Sequence, residues 1–130
     1  MNVLIVDDSK IIRRVLTNTV KRFFKDSAFK ELNIFEAVDG KMAIDMMQKK
    51  QVDIMLLDWN MPNMTGPEVV EAVRAKKEWN KTRIIMATTE GSKDSVLQMI
   101  KKGANGYMVK PFKEDAVFKT LQTITARMPK

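Results

Sequence analysis

Short runs of apolar residues recur along the chain between longer segments of mixed polarity. Three runs are apolar at about four consecutive positions, at 3–6, 54–57 and 84–87, and two weaker runs lie at 34–35 and 107–109. Runs without polar interruption are typical of strands whose two faces are both buried in a parallel sheet. The pattern therefore predicts five strands, of which at least three are covered on both faces.

The segments between these runs place apolar residues on one face at helical spacing. Ser9 is a good N-cap for the first helix, Gly40 begins the second, Pro67 suits the first turn of the third, Ser92 opens the fourth and Lys113 the fifth. The apolar positions that define the five faces are Ile12, Leu16, Val20 and Phe23; Ala43, Ile44 and Met47; Val69, Val70 and Val73; Val96, Ile100 and Ala104; and Val117, Leu121, Ile124 and Met128.

Strands that alternate with helices predict an α/β fold, with a doubly wound parallel sheet of five strands and five flanking helices. Residues 1–130 contain no linker, repeat or low-complexity segment, so we expect a single domain without a separate output domain. No apolar run is long enough to span a bilayer, and the first strand follows Met1 without a basic region. We therefore expect a cytoplasmic protein without membrane insertion.

The absence of two residue types narrows the possible chemistry. The sequence has no Cys and no His, which excludes disulfides, thiolate metal sites, cysteine nucleophiles and histidine bases. A metal bound to the remaining side chains is a hard, oxygen-preferring cation. The net charge of +7 fits an acidic partner, but the 23 Lys and Arg are scattered, which favours a solvated surface for most of them.

Polar side chains follow the predicted strands at the ends where open α/β sheets bind ligands. Asp7 and Asp8 follow the first strand, Asp58 the third, Thr88 the fourth and Lys110 the fifth. Three carboxylates that lie together repel one another unless a cation is among them, and oxygen ligands favour Mg²⁺. The sequence therefore predicts a magnesium site at this edge of the sheet.

Asp58 is the candidate nucleophile, because a carboxylate can attack phosphorus and form an acyl phosphate. Thr88 would donate a hydrogen bond to the phosphoryl group, and Lys110 would add a positive charge. Pro111 favours an unusual backbone that aims the lysine side chain. The simpler alternatives are a surface lysine and a hydroxyl that satisfies a backbone group at the end of the strand.

These residues resemble the motifs of bacterial response-regulator receiver domains. Asp-Asp-Ser at 7–9, Asp-Trp-Asn-Met-Pro at 58–62, Thr88 and Lys-Pro-Phe at 110–112 stand in the order of that family. The resemblance covers essentially the whole chain and is closest to the single-domain chemotaxis regulators of the CheY type. It implies a flavodoxin-like sheet with the strand order 2-1-3-4-5.

The resemblance also implies a role for each acidic residue. Asp58 would be the phosphoacceptor. Asp8 and Asp58 would bind Mg²⁺ directly together with the backbone carbonyl of Asn60, and Asp7 would act mostly through water.

Other positions would bind the phosphoryl group, transmit the signal and end it. By resemblance, Thr88 and Lys110 bind the phosphoryl group, and Thr88 and Tyr107 form a two-state switch in which the ring moves inward on phosphorylation. Asn60 and Glu90 would tune the approach of the hydrolytic water, which implies rapid self-dephosphorylation.

The resemblance further implies partners of the chemotaxis system. The donor would be a histidine kinase of the chemotaxis type, and the target would be a flagellar motor switch protein. A separate phosphatase is a further candidate, and the protein is expected to be a monomer. A single-domain phosphorelay intermediate, or a regulator of another target, remains the alternative function. In each case the protein is a switch that assists its own phosphorylation, not an enzyme.

Two other protein classes share features with this sequence, but the sequence lacks residues that each class requires. Phosphatases of the haloacid dehalogenase class need an acid two positions after the nucleophile, where this chain has Asn60. A nucleic-acid-binding module needs a basic cluster or an aromatic platform that the sequence lacks. The basic charge departs from many receiver domains. Thr89 is bulkier than the residue often found there, which could restrict phosphate access.

Overall fold

Strands and helices alternate along the chain in a computed structural model that describes residues 1–29, 31–89 and 91–129. The strands are β1 (Asn2–Val6), β2 (Asn33–Ala37), β3 (Ile54–Asp58), β4 (Arg83–Thr88) and β5 (Gly106–Val109). The helices are α1 (Lys10–Phe24), α2 (Gly40–Lys49), α3 (Gly66–Arg74), α4 (Lys93–Lys102) and α5 (Glu114–Thr125), with a short 3-10 helix at Lys77–Trp79.

All five strands are parallel in one sheet with the order β2-β1-β3-β4-β5. The predicted strand order is confirmed. Strands β1, β3 and β4 lie inside the sheet and are almost entirely buried, whereas β2 and β5 form partly exposed edges. The continuously apolar runs are the inner strands because only these strands have helices over both faces.

Two apolar layers hold the helices against the sheet. Side chains alternate along each strand, so Val3 and Ile5 pack in the layer under α1 and α5. Leu4 and Val6 pack in the opposite layer, under α2, α3 and α4. The doubly wound α/β architecture predicted from the alternating pattern is therefore confirmed.

Helix ends coincide with the predicted capping residues. The Ser9 hydroxyl accepts a hydrogen bond from the Ile12 amide at 3.3 Å, and the Ser92 hydroxyl accepts one from the Ser95 amide at 3.3 Å. Gly103 ends α4 with φ of 117°, a left-handed conformation that glycine adopts without strain. These caps determine where the helices next to the sheet edge begin and end.

The buried face of α4 differs from its prediction. Ile100 was expected on that face but is 44% exposed, and Met99 is the buried residue of the helix. Ala104 is buried, but it lies beyond the end of α4. The helix packs beside α3 near the β5 edge, so a narrow stripe around Met99 meets the core and the flanking apolar residues remain exposed.

The other helix faces agree with their predictions, with small shifts at the ends. Phe24 rather than Phe23 is the buried aromatic residue of α1. Met128 lies past the end of α5 and packs partly buried against the layer under that helix. None of the helices in the described ranges is long and apolar enough to cross a bilayer.

Candidate functional site

The carboxyl ends of four strands bring the predicted polar residues to one edge of the sheet. Asp7 and Asp8 follow β1, and Asp58 is the last residue of β3. Thr88 is the last residue of β4, and Lys110 follows β5. Asp7, Asp58 and Thr88 are buried, whereas Asp8 is exposed.

Lys110 joins two of the carboxylates. Its Nζ donates to Asp58 Oδ1 at 2.9 Å and to Asp7 Oδ2 at 3.0 Å. The Lys110 amide also donates to the Thr88 carbonyl at 2.8 Å. The Lys110–Pro111 peptide bond is cis. Lys110 is therefore a partner of the buried acids and not a solvated surface lysine.

The carboxyl group of Asp58 is in an environment that disfavours its charged form. Burial raises the pKa of Asp58 above its ordinary value, and the negative charges of Asp7 and Asp8 raise it further. The hydrogen bond and charge of Lys110 oppose this rise. A bound cation would act in the same direction as Lys110, because it too favours the ionised carboxylate.

The ammonium group of Lys110 is held in its charged form. Burial lowers the pKa of Lys110, but the hydrogen bonds and charges of Asp58 and Asp7 outweigh burial, and the net shift is upward. The lysine is therefore a fixed positive charge at the edge of the sheet.

The donor set fits a divalent cation. Asp7, Asp8 and Asp58 each place a carboxylate oxygen within 4.8 Å of the other two. Among the residues that the structure describes, Lys110 is the one cationic side chain that forms ion pairs with these three carboxylates. Carboxylate oxygens are the ligands that Mg²⁺ and Ca²⁺ prefer, and the acidic cluster therefore could bind such an ion.

Every polar group of Asp7, on the backbone and on the side chain, makes a hydrogen bond. Its amide donates to the Ala37 carbonyl at 3.1 Å, and its Oδ1 accepts from the Ser9 amide at 2.8 Å. Its carbonyl accepts from an Arg13 guanidinium nitrogen at 2.7 Å. Together with the Lys110 contact, these bonds leave Asp7 a single orientation.

The β3–α3 segment packs tightly behind Asp58. The Trp59 amide donates to the Ala87 carbonyl at 2.9 Å, and the Gly66 amide donates to the Trp59 carbonyl at 2.9 Å. A Cβ atom at Gly66 would lie 2.5 Å from the Asp58 carbonyl oxygen. Glycine is required at the start of α3 because the helix approaches the backbone of Asp58.

Tyr107 lies outside the acidic cluster but on the same face of the sheet as Thr88. In the register of β4 and β5, Tyr107 is opposite Met86, and Val109 is opposite Thr88. Thr88 and Tyr107 are therefore diagonal neighbours on one face. The tyrosine is 44% exposed, which is an outward position.

The two remaining predicted site residues are Asn60 and Glu90. Asn60 is exposed in the segment between β3 and α3, two positions after Asp58. Glu90 lies outside the described residues.

Sequence reasoning missed two residues of the site, Arg13 and Gly66. Arg13 lies six residues after Asp7, in the first turn of α1, where its side chain can reach back to the end of β1. Nothing in the sequence distinguishes Arg13 from the other basic residues. Gly66 precedes Pro67 at the start of a helix, and such a glycine indicates a close approach only when the neighbouring backbone is known.

The chain is similar to known proteins over most of its length. The model of the response regulator receiver domain matches residues 3–122. A chemotaxis protein CheY homolog of Campylobacter jejuni is 40% identical over 125 residues, which cover 95% of this chain and 92% of that protein. The chemotaxis protein CheY of Pseudomonas aeruginosa is 35% identical over 128 residues, with 98% of both chains covered.

Solved structures agree with the sequence relatives. The chemotaxis response regulator CheY4 of Vibrio cholerae superimposes with a TM-score of 0.81 at 39% identity, covering 95% of this chain and 97% of that one. Receiver domains are signalling proteins and not classical enzymes. The chain belongs to the family of response regulator receiver domains, in which signalling depends on phosphorylation.

Proposed function

We propose that this protein is a phosphorylation-activated switch of chemotaxis that accepts a phosphoryl group on Asp58 from a histidine kinase. The observation that carries the proposal is the bridge from Lys110 to Asp58 and Asp7, at 2.9 and 3.0 Å, inside an acidic cluster. Thr88 ends the strand beside Asp58. This arrangement combines a nucleophile, a positive charge and a hydroxyl donor at one edge.

The chain's own residues can perform the transfer as an in-line displacement. A carboxylate oxygen of Asp58 attacks phosphorus, while the bond between phosphorus and the imidazole nitrogen of the donor breaks. The imidazole leaves and takes its proton from solvent. Since this sequence has no His, the phosphohistidine must belong to another protein.

Lys110 and Thr88 would stabilise the transferred group. The Lys110 ammonium already touches Asp58 Oδ1, so it lies close to the oxygens of a phosphoryl group formed there. The Thr88 hydroxyl is the candidate hydrogen-bond donor to the same group.

Asp7, Asp8, Asp58 and the Asn60 carbonyl are the candidate ligands of Mg²⁺. When bound, the cation would neutralise the charge of the phosphoryl oxygens. Asp8, the exposed member of the cluster, is the residue that solvent and a hydrated ion can reach first.

Phosphorylation by a small donor tests the nucleophile. With acetyl phosphate and Mg²⁺, we expect the protein to gain one acid-stable, hydroxylamine-sensitive phosphoryl group, detected by mass spectrometry. Asp58→Asn and EDTA should each prevent the gain. Asp53→Asn is a matched control at the amino end of the same strand, and it should be labelled normally. Full labelling of the Asp58→Asn protein would refute the assignment.

The face formed by α4, β5 and α5 is the proposed output surface. A groove of about 650 Å³ runs along β5 and α5 beside Tyr107. Basic residues on this face are Lys93, Lys101, Lys102, Lys113 and Lys119. A partner helix with acidic residues and an apolar anchor would complement this surface, and the CheY relatives point to a flagellar motor switch protein.

A phosphorelay intermediate, or a regulator of another target, is the alternative function. Capture of cell proteins on the beryllofluoride-treated protein, compared with the untreated protein, separates these possibilities. Enrichment of a motor switch component supports the proposed target. Enrichment of a second histidine-containing phosphotransfer protein supports the relay. Either pathway would operate in the cytoplasm with a monomeric receiver.

The proposed lifetime of the phosphoryl group is short. Asn60 and Glu90 stand two positions after Asp58 and Thr88, where receiver domains tune the approach of water. After removal of the donor, we expect the phosphoryl group to be lost within minutes or less. A group that persists for hours, followed by mass spectrometry, would contradict this expectation.

A further inference from the structure

We propose that Arg13 is a positioning residue that aims Asp8 into the cation site by holding the peptide between Asp7 and Asp8. The inference rests on the proposed function, because it assumes that the acidic cluster binds a divalent cation.

The Arg13 guanidinium connects α1, the end of β1 and β2. One terminal nitrogen donates to the Asp7 carbonyl at 2.7 Å, and Nε donates to Glu36 Oε1 at 3.0 Å. The Arg13 side chain is only 11% exposed, whereas that of Glu36 is 50% exposed. The arginine is therefore held inside the edge of the sheet, with the carboxylate of β2 as its second partner.

Asp8 depends on this contact more than Asp7 does. The Asp7 carboxylate is held by the Ser9 amide and by Lys110. Among the residues that the structure describes, no hydrogen bond or ion pair holds the Asp8 carboxylate. The direction of Asp8 is therefore set by its backbone, and the carbonyl that Arg13 binds belongs to the peptide plane that joins Asp7 to Asp8.

The contact needs the shape of arginine as well as its charge. The guanidinium is planar and presents several donors in a fixed fork, so one side chain reaches a carbonyl and a carboxylate at once. A lysine has a single nitrogen at the end of a flexible stem. We therefore expect Arg13→Lys to keep the charge but to lose most of the positioning effect.

Urea unfolding with and without Mg²⁺ tests the inference, because the cation stabilises the folded protein according to its affinity. Unfolding in EDTA measures the effect of each variant on the fold itself, and the added stability in Mg²⁺ measures binding. For Arg13→Gln we expect about tenfold more Mg²⁺ to be needed for the same added stability, the size typical of residues that orient metal ligands. Arg13→Lys should lie close to Arg13→Gln.

Arg14 provides the matched control. It is the next residue, it carries the same charge, and it is exposed. Arg14→Gln removes the same charge as Arg13→Gln, and the loss of a positive charge by itself can only strengthen cation binding. We therefore expect Arg14→Gln to bind Mg²⁺ at least as well as the parent protein, so weaker binding by Arg13→Gln cannot be an effect of charge. Glu36→Gln should weaken binding in the same direction as Arg13→Gln but less, and it serves if Arg13→Gln does not fold. Its effect is compared with that of Asp45→Asn, which removes an equal charge at an exposed position and should change binding less.

The outcomes separate this inference from the proposed function. If the parent protein gains no stability from Mg²⁺, or Asp8→Asn gains as much as the parent, the cation site itself is wrong. If the parent binds Mg²⁺, Asp8→Asn does not, and the Arg13 and Glu36 variants bind with unchanged affinity, then the inference about Arg13 is wrong while the cation site stands.

Discussion

Lys110 forms the ion pairs of the two buried carboxylates in the candidate site. Its ammonium group contacts two carboxylates from different strands, while its backbone amide contacts a third strand through the Thr88 carbonyl. The single Nζ atom of Lys110 makes both contacts, and the side chains of Asp7 and Asp58 are only 2% and 7% exposed. A phosphoryl group formed on Asp58, as proposed, would therefore contact Lys110 directly and β5 through it.

Replacement of Lys110 by arginine should separate chemistry from signalling. Arginine keeps the positive charge, but its planar fork is larger than the single nitrogen that now lies between Asp7 and Asp58. We expect Lys110→Arg to accept a phosphoryl group from acetyl phosphate and to lose phosphorylation-dependent partner binding. Lys77→Arg, an exposed position at the other end of the sheet, is the control. Partner binding by phosphorylated Lys110→Arg equal to that of the parent would contradict this role.

At the scale of elements, α3 and α4 are held in different ways on the same face of the sheet. Helix α3 buries Gly66, Val69, Val70 and Val73, and its start touches the backbone of Asp58. Helix α4 buries Met99 alone. The helix behind Asp58 is therefore firmly packed, whereas the helix of the proposed output surface buries little apolar surface.

The start of α3 should not tolerate a side chain. A Cβ at position 66 would lie 2.5 Å from the Asp58 carbonyl oxygen and 2.9 Å from the Trp59 Cα. We expect Gly66→Ala to lower stability in urea by about 1–3 kcal/mol, as overpacking does, and to slow labelling by acetyl phosphate.

Gly106→Ala is the matched control for this effect. A Cβ at that position in β5 meets its nearest atoms at 3.7 Å, an ordinary contact distance. We expect it to unfold close to the parent protein and to label normally. Equal stability and equal labelling of the two alanine variants would show that the close approach at Gly66 has no consequence.

Helix α4 should open more readily than α3. Local opening is easiest where few apolar side chains are buried, and α4 buries one residue of its ten. We expect amide hydrogen exchange in Lys93–Lys102 to be faster than in Gly66–Arg74. Equal protection of the two helices, measured by NMR, would show that α4 is anchored by contacts other than burial.

At the scale of the whole molecule, the charge at the candidate site is opposite in sign to the net charge of the protein. The acidic cluster is at the carboxyl ends of the strands, although the protein as a whole carries a net charge of +7. The 23 Lys and Arg are scattered along the sequence. An acidic partner can therefore approach the protein while a cation is still attracted to one local site.

Binding of an acidic partner peptide should weaken as salt rises, because exposed charges are screened beyond about 10 Å at 0.1 M salt. Lys119→Glu on the output surface should weaken binding and reduce the salt dependence, whereas Lys77→Glu at the opposite end of the sheet should do neither. Affinities of the beryllofluoride-treated proteins, measured by fluorescence anisotropy, test this. A salt-independent affinity, or equal effects of the two substitutions, would assign the lysines to solvation only.

The tyrosine switch has its own test on the same surface. Phosphorylation can change the affinity for the partner through Tyr107 only if the partner prefers one position of the ring. We expect Tyr107→Ala to bind the partner peptide with the same affinity before and after beryllofluoride treatment. Chemical-shift changes confined to α1 would place the output surface elsewhere and leave the phosphorylation site unaffected.

The sequence by itself determined the strands, their parallel arrangement and the edge where the site lies. Runs such as 54–57 have no polar position, and their shortness and position between helical segments favour strands with two covered faces. Asp58 and Lys110 could be assigned to one edge because parallel strands end on the same side of a sheet. These properties follow from local pattern and chain direction alone.

Only the tertiary structure decided which distant groups meet at that edge. The contact of Arg13 with the Asp7 carbonyl, and the approach of Gly66 to Asp58, depend on how α1 and α3 dock on the sheet. The exposure of Ile100 depends on the position of α4 near the β5 edge. Periodicity reports which face of a helix is apolar, but it carries no information about how far the neighbouring elements cover that face.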